Sequence, residues 1–316
     1  MFSTNIFSDH PSIQSHTETM LTSENVICSK GYLNNIYSKQ KTDGSTSATA
    51  TETYIINMIT NENSMIFIRT GSSQRKMDLW IFANNLDKLT KQCTLVTSDG
   101  DRPVPSSYNI VTCNKILNHP NIIKWYTQNY DKSIIHEKLD YVPIGFNLHT
   151  TKWLVNNDIQ QKIDFMVNCR RNFLPNNQNR DKIFSDAHLN ISHPSRERIY
   201  KMFKNDPNFV FCKSRKSFTD ITEDYNKYKF VISPRGNGLD CHSTWELFLA
   251  GAIVITKTST LDDMYIKNNL PVVILKKWDI LKNITVSILN TWYSIHNHKT
   301  DINNIFPKLM YNYWIK

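Results

Sequence analysis

No stretch of the 316-residue sequence holds 18 consecutive apolar residues, the length a helix needs to cross a bilayer, so no membrane span is expected. The first twenty residues, MFSTNIFSDHPSIQSHTETM, lack the charged-then-apolar order of a secretory leader. Cysteine occurs six times, at Cys28, Cys93, Cys113, Cys169, Cys212 and Cys241, never in C-x-x-C spacing. That scatter builds neither a zinc site nor a disulfide framework, and it fits a reducing, cytoplasmic setting. Internal repeats are missing. Cations do not interleave with aromatic residues as in a single-strand-binding module, so no nucleic-acid partner is expected.

What is present is an ordinary globular composition with a basic excess. Lys and Arg number 37 against 28 Asp and Glu, a net charge of +9, which favours polyanionic or phosphorylated ligands. The length accommodates two domains of roughly 150 residues each. Residues 1–50 are polar and end in KTDGSTSATATET, the composition of a loosely ordered lead-in. Residues 51–155 read as a first α/β domain, 156–290 as a second, and 291–316 as a helical tail packing back on the first.

In the first domain, MIFIRT (65–70) and CTLVTS (93–98) are strands separated by a helical DLWIFANNLDKLTK. A helical stretch is expected around Ile122 to Tyr130, then a strand in LDYVPIG. In the second domain the expected strands are IDFMVNC (163–169), NFVFC (208–212), KFVISP (229–234), AIVIT (252–256) and PVVIL (271–275). RDKIFSDAHL with SRERIYKMFK, FTDITEDYNKY and CHSTWELFLAG are the intervening helices. Short apolar strands alternating with helices describe a parallel sheet covered on both faces.

Ligands of open α/β sheets bind outside the carboxyl ends of the strands. Cations follow four of these strands: Arg170 and Arg171, then Lys213, Arg215 and Lys216, then Arg235, then Lys257. Positive charge gathered on one sheet edge suits a diphosphate. The stretch SPRGNGLDCHSTWE (233–246) sharpens this, because Gly236 and Gly238 let the backbone approach a ligand and the next helix begins beside them. Asp240 reads as the cap of that helix. His242 and Glu246 lie four residues apart on one face, and Glu246 one turn into the helix is placed to accept ribose hydroxyls. A nicotinamide-type G-x-G-x-x-G would need glycine where Cys241 stands, so a redox dinucleotide is not expected.

KYKFVISPRGNGLDCHSTWELFLAGAIVITKTSTLDDMY with LPVVILKKWDIL resembles the donor-binding half of exostosin-like glycosyltransferases, particularly soluble forms of giant viruses and protists. YVPIGFNLHT (141–150) and VNCRRNFLPNNQNRDKIF resemble the segments preceding it. The resemblance implies α/β architecture of the GT-B type, two Rossmann-like domains facing across a cleft. It implies a nucleoside diphosphate sugar, with uridine as carrier, bound by the second domain, a glycan or glycoprotein acceptor, and a host-cytoplasmic or virion location. Asn168, Arg171, Arg180, Lys213, Arg215, Arg235, Gly236, Asn237, Gly238, His242 and Glu246 would then surround the donor. One position departs from the family pattern: Ser243 stands where arginine is common, so either Arg171, Lys213 or Arg215 grips the phosphates in its place or donor binding is weakened.

Inverting glycosyl transfer needs a stabilised leaving diphosphate and a base for the acceptor hydroxyl. Asp101 is the preferred base, with Asp99 and His149 as further candidates. A cationic edge supplies the first requirement without a required cofactor. Asp99-Gly-Asp101 also spells the D-x-D signature of metal-dependent transferases, which stays open beside a non-catalytic sugar-nucleotide or polyanion binder.

Overall fold

A computed structural model describes residues 21–29, 52–61, 64–71, 77–148, 159–172 and 178–316. Helix α1 (Glu52–Thr60) precedes the first sheet, in which β1 (Met65–Arg69), α2 (Met77–Asn84), β2 (Cys93–Ser98), α3 (Ile110–Leu117), β3 (Ile122–Thr127) and β4 (Leu139–Tyr141) follow in turn. Its strands are all parallel in the order β1-β2-β3-β4. Helix α4 (Ile159–Asn172) leads to the second unit of β5 (Asn179–Ser185), α5 (Pro194–Phe203), β6 (Phe209–Phe211), α6 (Phe218–Lys227), β7 (Tyr228–Ile232), α7 (His242–Leu249), β8 (Ile253–Lys257), α8 (Asp262–Lys267) and β9 (Val272–Leu275). These strands are also parallel, in the order β6-β5-β7-β8-β9. Helices α9 (Val286–His296), α10 (Ile302–Ile305) and α11 (Tyr311–Trp314) close the chain.

Period-two side-chain alternation places the second sheet between two apolar layers. Phe230 and Ile232 of β7 and Ile253 and Ile255 of β8 face one layer with Ile199 and Phe203 of α5 and Leu289 of α9. Val231 and Val254 face the other, which runs without a break into the first domain and the C-terminal tail. Trp245 of α7 meets Trp314 edge-on at 5.6 Å in that layer. Two sheets thus share one continuous core, and the cleft between them has a fixed floor.

The carboxyl edges of the sheets face each other, as the GT-B arrangement requires. Asp240 after β7 donates its amide to Asn129 Oδ1 after β3 at 2.9 Å, and Tyr141 at the end of β4 donates its hydroxyl to the Thr260 carbonyl after β8 at 2.8 Å. Lys132 pairs with Asp263 across the same seam.

Four local expectations are corrected. IDFMVNC lies inside α4, where Lys162, Ile163, Met166, Val167 and Arg170 form the buried stripe of a 14-residue helix. A seven-residue apolar window cannot show that 3.6 period. RDKIFS belongs instead to β5, whose Ile183, Phe184 and Ser185 are buried. Ile122–Thr127 is the strand β3, paired on both sides, not a helix. Of the polar lead-in 1–50, residues 21–29 are described, and Leu21, Val26, Ile27 and Cys28 among them are buried. The Ile27 amide donates to Leu309 and its carbonyl accepts from Phe146. Gly145 takes a φ of +64° at this crossing, and a Cβ there would come within 2.1 Å of the Ile27 carbonyl oxygen. Only glycine fits both the conformation and the approach. No described helix is long and apolar enough to cross a membrane.

Candidate functional site

Between β5 and β7 the strand order of the second sheet reverses, and this is where an open α/β sheet leaves a crevice. A cavity of about 640 Å³ occupies it. Its lining comes from the loops after β5 (Asp186, Leu189), after β6 (Arg215, Lys216) and after β7 (Gly236, Asn237, Gly238), with Asp101 and Asn147 facing them from the first domain. A second cavity of about 820 Å³ lies on the other side of the glycine loop, walled by Arg235, Leu239, Lys257 and Thr258 and by Pro103 and Asp131 opposite.

The glycine loop is shaped by close approaches. A Cβ on Gly238 would lie 3.0 Å from Asn129 Nδ2 and 3.3 Å from the Asp101 carbonyl, so this glycine lets the loop touch the first domain. Asn237 Nδ2 donates to Asp101 Oδ2 at 3.4 Å across the cleft. The Gly236 amide donates to Cys241 Sγ at 3.0 Å, folding the loop over the start of α7. Cys241 occupies the N-cap without a side-chain cap bond, and in the first turn of α7 the Thr244 amide donates to the Cys241 carbonyl at 3.0 Å.

Glu246 and His242 both line the smaller cavity, as their spacing requires. The Glu246 carboxylate accepts the Asn147 amide at 3.3 Å. Burial raises its pKa above the ordinary carboxylate range, the Lys162 ammonium opposes that, and Asp186 adds to it. His242 Nδ1 donates to the Gly145 carbonyl at 2.7 Å, which fixes the ring against the first domain. Asp240 is not the helix cap. It lies one residue earlier, 3% exposed, and accepts from Ile144, Cys241 and the Trp245 indole.

Of the remaining sequence candidates, Arg215, Gly236, Asn237, Gly238 and Asp101 come together here. Arg235 turns to the larger cavity, donating to the carbonyls of Gly236 at 3.4 Å and Asn237 at 3.1 Å. Lys213 is exposed and borders neither cavity. Asn168 and Arg171 are exposed on α4. Arg170 in the same helix is buried and donates to the Thr300 carbonyl at 2.9 Å, so the cation that α4 brings to the site is Lys162, which donates to the Asn147 carbonyl near Glu246. Arg180 stands at the amino end of β5, stacked 4.3 Å over the Tyr293 ring at the opposite edge of the sheet. His149 lies outside the described residues.

Asp99 is withdrawn from chemistry. Its Oδ2 accepts from Arg69 Nε at 2.8 Å, and its amide donates to Gln128 Oε1 at 3.1 Å. Among the described residues no cluster of three His, Cys, Asp or Glu side chains is placed to hold a metal ion.

Two residues enter that sequence reading missed. Arg196 is buried in α5 and donates to the carbonyls of Arg235 at 3.1 Å and Pro234 at 3.3 Å, with Cys241 Sγ at 3.6 Å. It lies on the cavity wall beside the glycine loop. A signal for it existed: Arg196, Ile199 and Phe203 share one helical stripe, and an arginine on an apolar stripe needs a buried partner. Asp186 follows β5 directly, a position hidden while β5 read as helix. Its Oδ2 accepts the Tyr225 hydroxyl at 2.9 Å, and burial raises its pKa.

No protein-family model matches the sequence, and no curated protein matches it. The fold is similar to the structure of a UDP-GlcNAc 2-epimerase from Methanocaldococcus jannaschii, at 10% identity and a TM-score of 0.35 over 80% of this chain and 77% of that one. A likeness that distant carries no functional argument.

Proposed function

We propose that the protein transfers a sugar from a nucleoside diphosphate sugar to an acceptor hydroxyl, by a single displacement that inverts the anomeric centre. The observation that carries this reading is the placement of Glu246, one turn into α7, in a cavity at the strand-order reversal that a glycine loop and Asp101 close from opposite domains. Ribose hydroxyls would donate to Glu246, and the diphosphate would lie along the glycine loop and the start of α7. Arg196 stabilises the negative charge that builds on the leaving diphosphate. Uridine is the carrier implied by the exostosin-like resemblance.

Asp101 is exposed in the cleft and serves as the base. It takes the acceptor hydroxyl proton as the oxygen attacks the anomeric carbon and the bond to the diphosphate breaks. The larger cavity on the other side of the glycine loop offers the acceptor a seat, with Arg235 on its wall and Pro103 opposite. A panel of sugar nucleotides scored by nucleoside diphosphate release tests the reading. Release by the wild type, lost in Glu246→Gln, is expected. Binding of heparin or RNA with no nucleotide bound would replace it with the polyanion-binder reading.

A further inference from the structure

We infer that the nucleobase end of the smaller cavity is built to read guanine, with Asp186 as the residue that selects it. The inference rests on the nucleotide-sugar reading of this cavity. With ribose at Glu246 and the diphosphate along the glycine loop, the base extends toward the loops after β5 and β6, and Asp186 stands there. Its position as the first residue after β5 is set by the sheet. The Tyr225 hydroxyl, donating to Oδ2 at 2.9 Å, holds the carboxylate's orientation.

Arg215 lies beside it on the same wall. Its Nε and Nη2 both donate to the Leu189 carbonyl, at 3.3 and 3.2 Å, which holds the guanidinium across the loop that carries Asp186. An arginine has further N–H groups to offer. Leu189, Ile221 and Leu247 supply apolar surface to the ring faces.

An ionised carboxylate only accepts hydrogen bonds, through two oxygens side by side. Guanine alone among the common bases offers two adjacent donors to it, N1–H and the 2-amino group. Its O6 and N7 are acceptors of the kind arginine recognises. Uracil presents one N–H between two carbonyls, so a carboxylate that meets it faces a second lone pair. Adenine and cytosine set an amino group beside a ring nitrogen acceptor, with the same repulsion. A carboxylate next to a guanidinium therefore favours guanine and disfavours the others, and it departs from the uridine carrier that resemblance implies.

Calorimetric titration of the full chain with GDP, IDP, UDP and ADP tests this. IDP lacks only the 2-amino group, so GDP is expected to bind about ten- to hundredfold more tightly than IDP, the worth of one hydrogen bond to a charged group. GDP should exceed UDP by at least as much. Asp186→Asn should erase the difference between GDP and IDP. Because the ranking in the wild type needs no variant, a poorly folded Asp186→Asn leaves the test intact. If UDP or IDP binds as tightly as GDP and Glu246→Gln weakens that binding, the guanine assignment falls and the nucleotide-sugar site stands. If none of the four nucleotides binds, both fall.

Discussion

Arg69 donates from Nε to Asp99 Oδ2 at 2.8 Å, and both side chains are only 4% exposed. The pair sits at the carboxyl ends of β1 and β2, under the loop that delivers Asp101 to the cleft. Asp99 is thus held in a buried ion pair while Asp101 is exposed at the cavity, although the two are separated by a single glycine. Removing one partner of a buried pair strands the other charge, which costs about 3–5 kcal/mol. Asp99→Asn should lose that much in urea unfolding, and a second change, Arg69→Met, should recover more than half of it. Failure of the double variant to recover would mean that Asp99 acts through something other than this pair.

Asp240 ties the donor helix to the first domain through four N–H contacts to its two oxygens, from Ile144, Cys241 and twice from Trp245. An amide in its place would turn an NH₂ toward donors. Asp240→Asn should therefore destabilise by about 2 kcal/mol or more, even though it removes a buried charge. Burial raises the Asp240 pKa from 3.8 to about 6. The folded protein then holds more protons than the unfolded chain between those values, so this group's contribution to stability falls as pH rises from about 4 to about 6. Equilibrium unfolding of wild type and variant across that window reads both effects.

Lys229, 1% exposed, donates to the Gly251 carbonyl at 3.1 Å and to Thr300 Oγ1 at 2.8 Å. Burial first, then the charges of Arg170 and Arg180, lower its pKa from 10.5 to about 7. Between these values the unfolded chain carries a proton the folded one has lost, so stability rises with pH across the window, and the cost of the buried charge is complete below it. Against Lys229→Met, the wild type should gain roughly 1 kcal/mol per pH unit from about pH 7 upward. A difference independent of pH would show that the ammonium keeps its charge in the fold.

Asp101→Asn removes the base while retaining a partner for Asn237. It should lower kcat about 10²- to 10⁴-fold and leave nucleotide affinity unchanged. Unchanged turnover would move the base elsewhere in the cleft.

Ser243 lines the cavity next to the start of α7, at a position where the exostosin-like pattern that the sequence resembles often has arginine. Ser243→Arg adds a cation to the diphosphate seat and should tighten nucleoside diphosphate binding about tenfold. Nucleosides without phosphate should bind the two proteins alike. A variant that binds both ligands equally poorly would place the phosphates away from this helix.

The sequence by itself determined the parallel sheets, the glycine loop, and the shared cavity-facing side of His242 and Glu246 on one helix. Each of these rests on local spacing: apolar runs of strand length, two glycines before a helix, and a four-residue interval. It could not decide α4 against β5, because a short apolar run satisfies either period until the neighbouring strands claim one of them. Only the tertiary structure set Arg196 and Asp186 beside Glu246, since the order β6-β5-β7 brings together segments that lie far apart in the chain. It also separated Asp99 from Asp101. Two like carboxylates, separated by one glycine, acquired opposite surroundings, because the buried guanidinium of Arg69 pairs with the first while the second is exposed at the cavity.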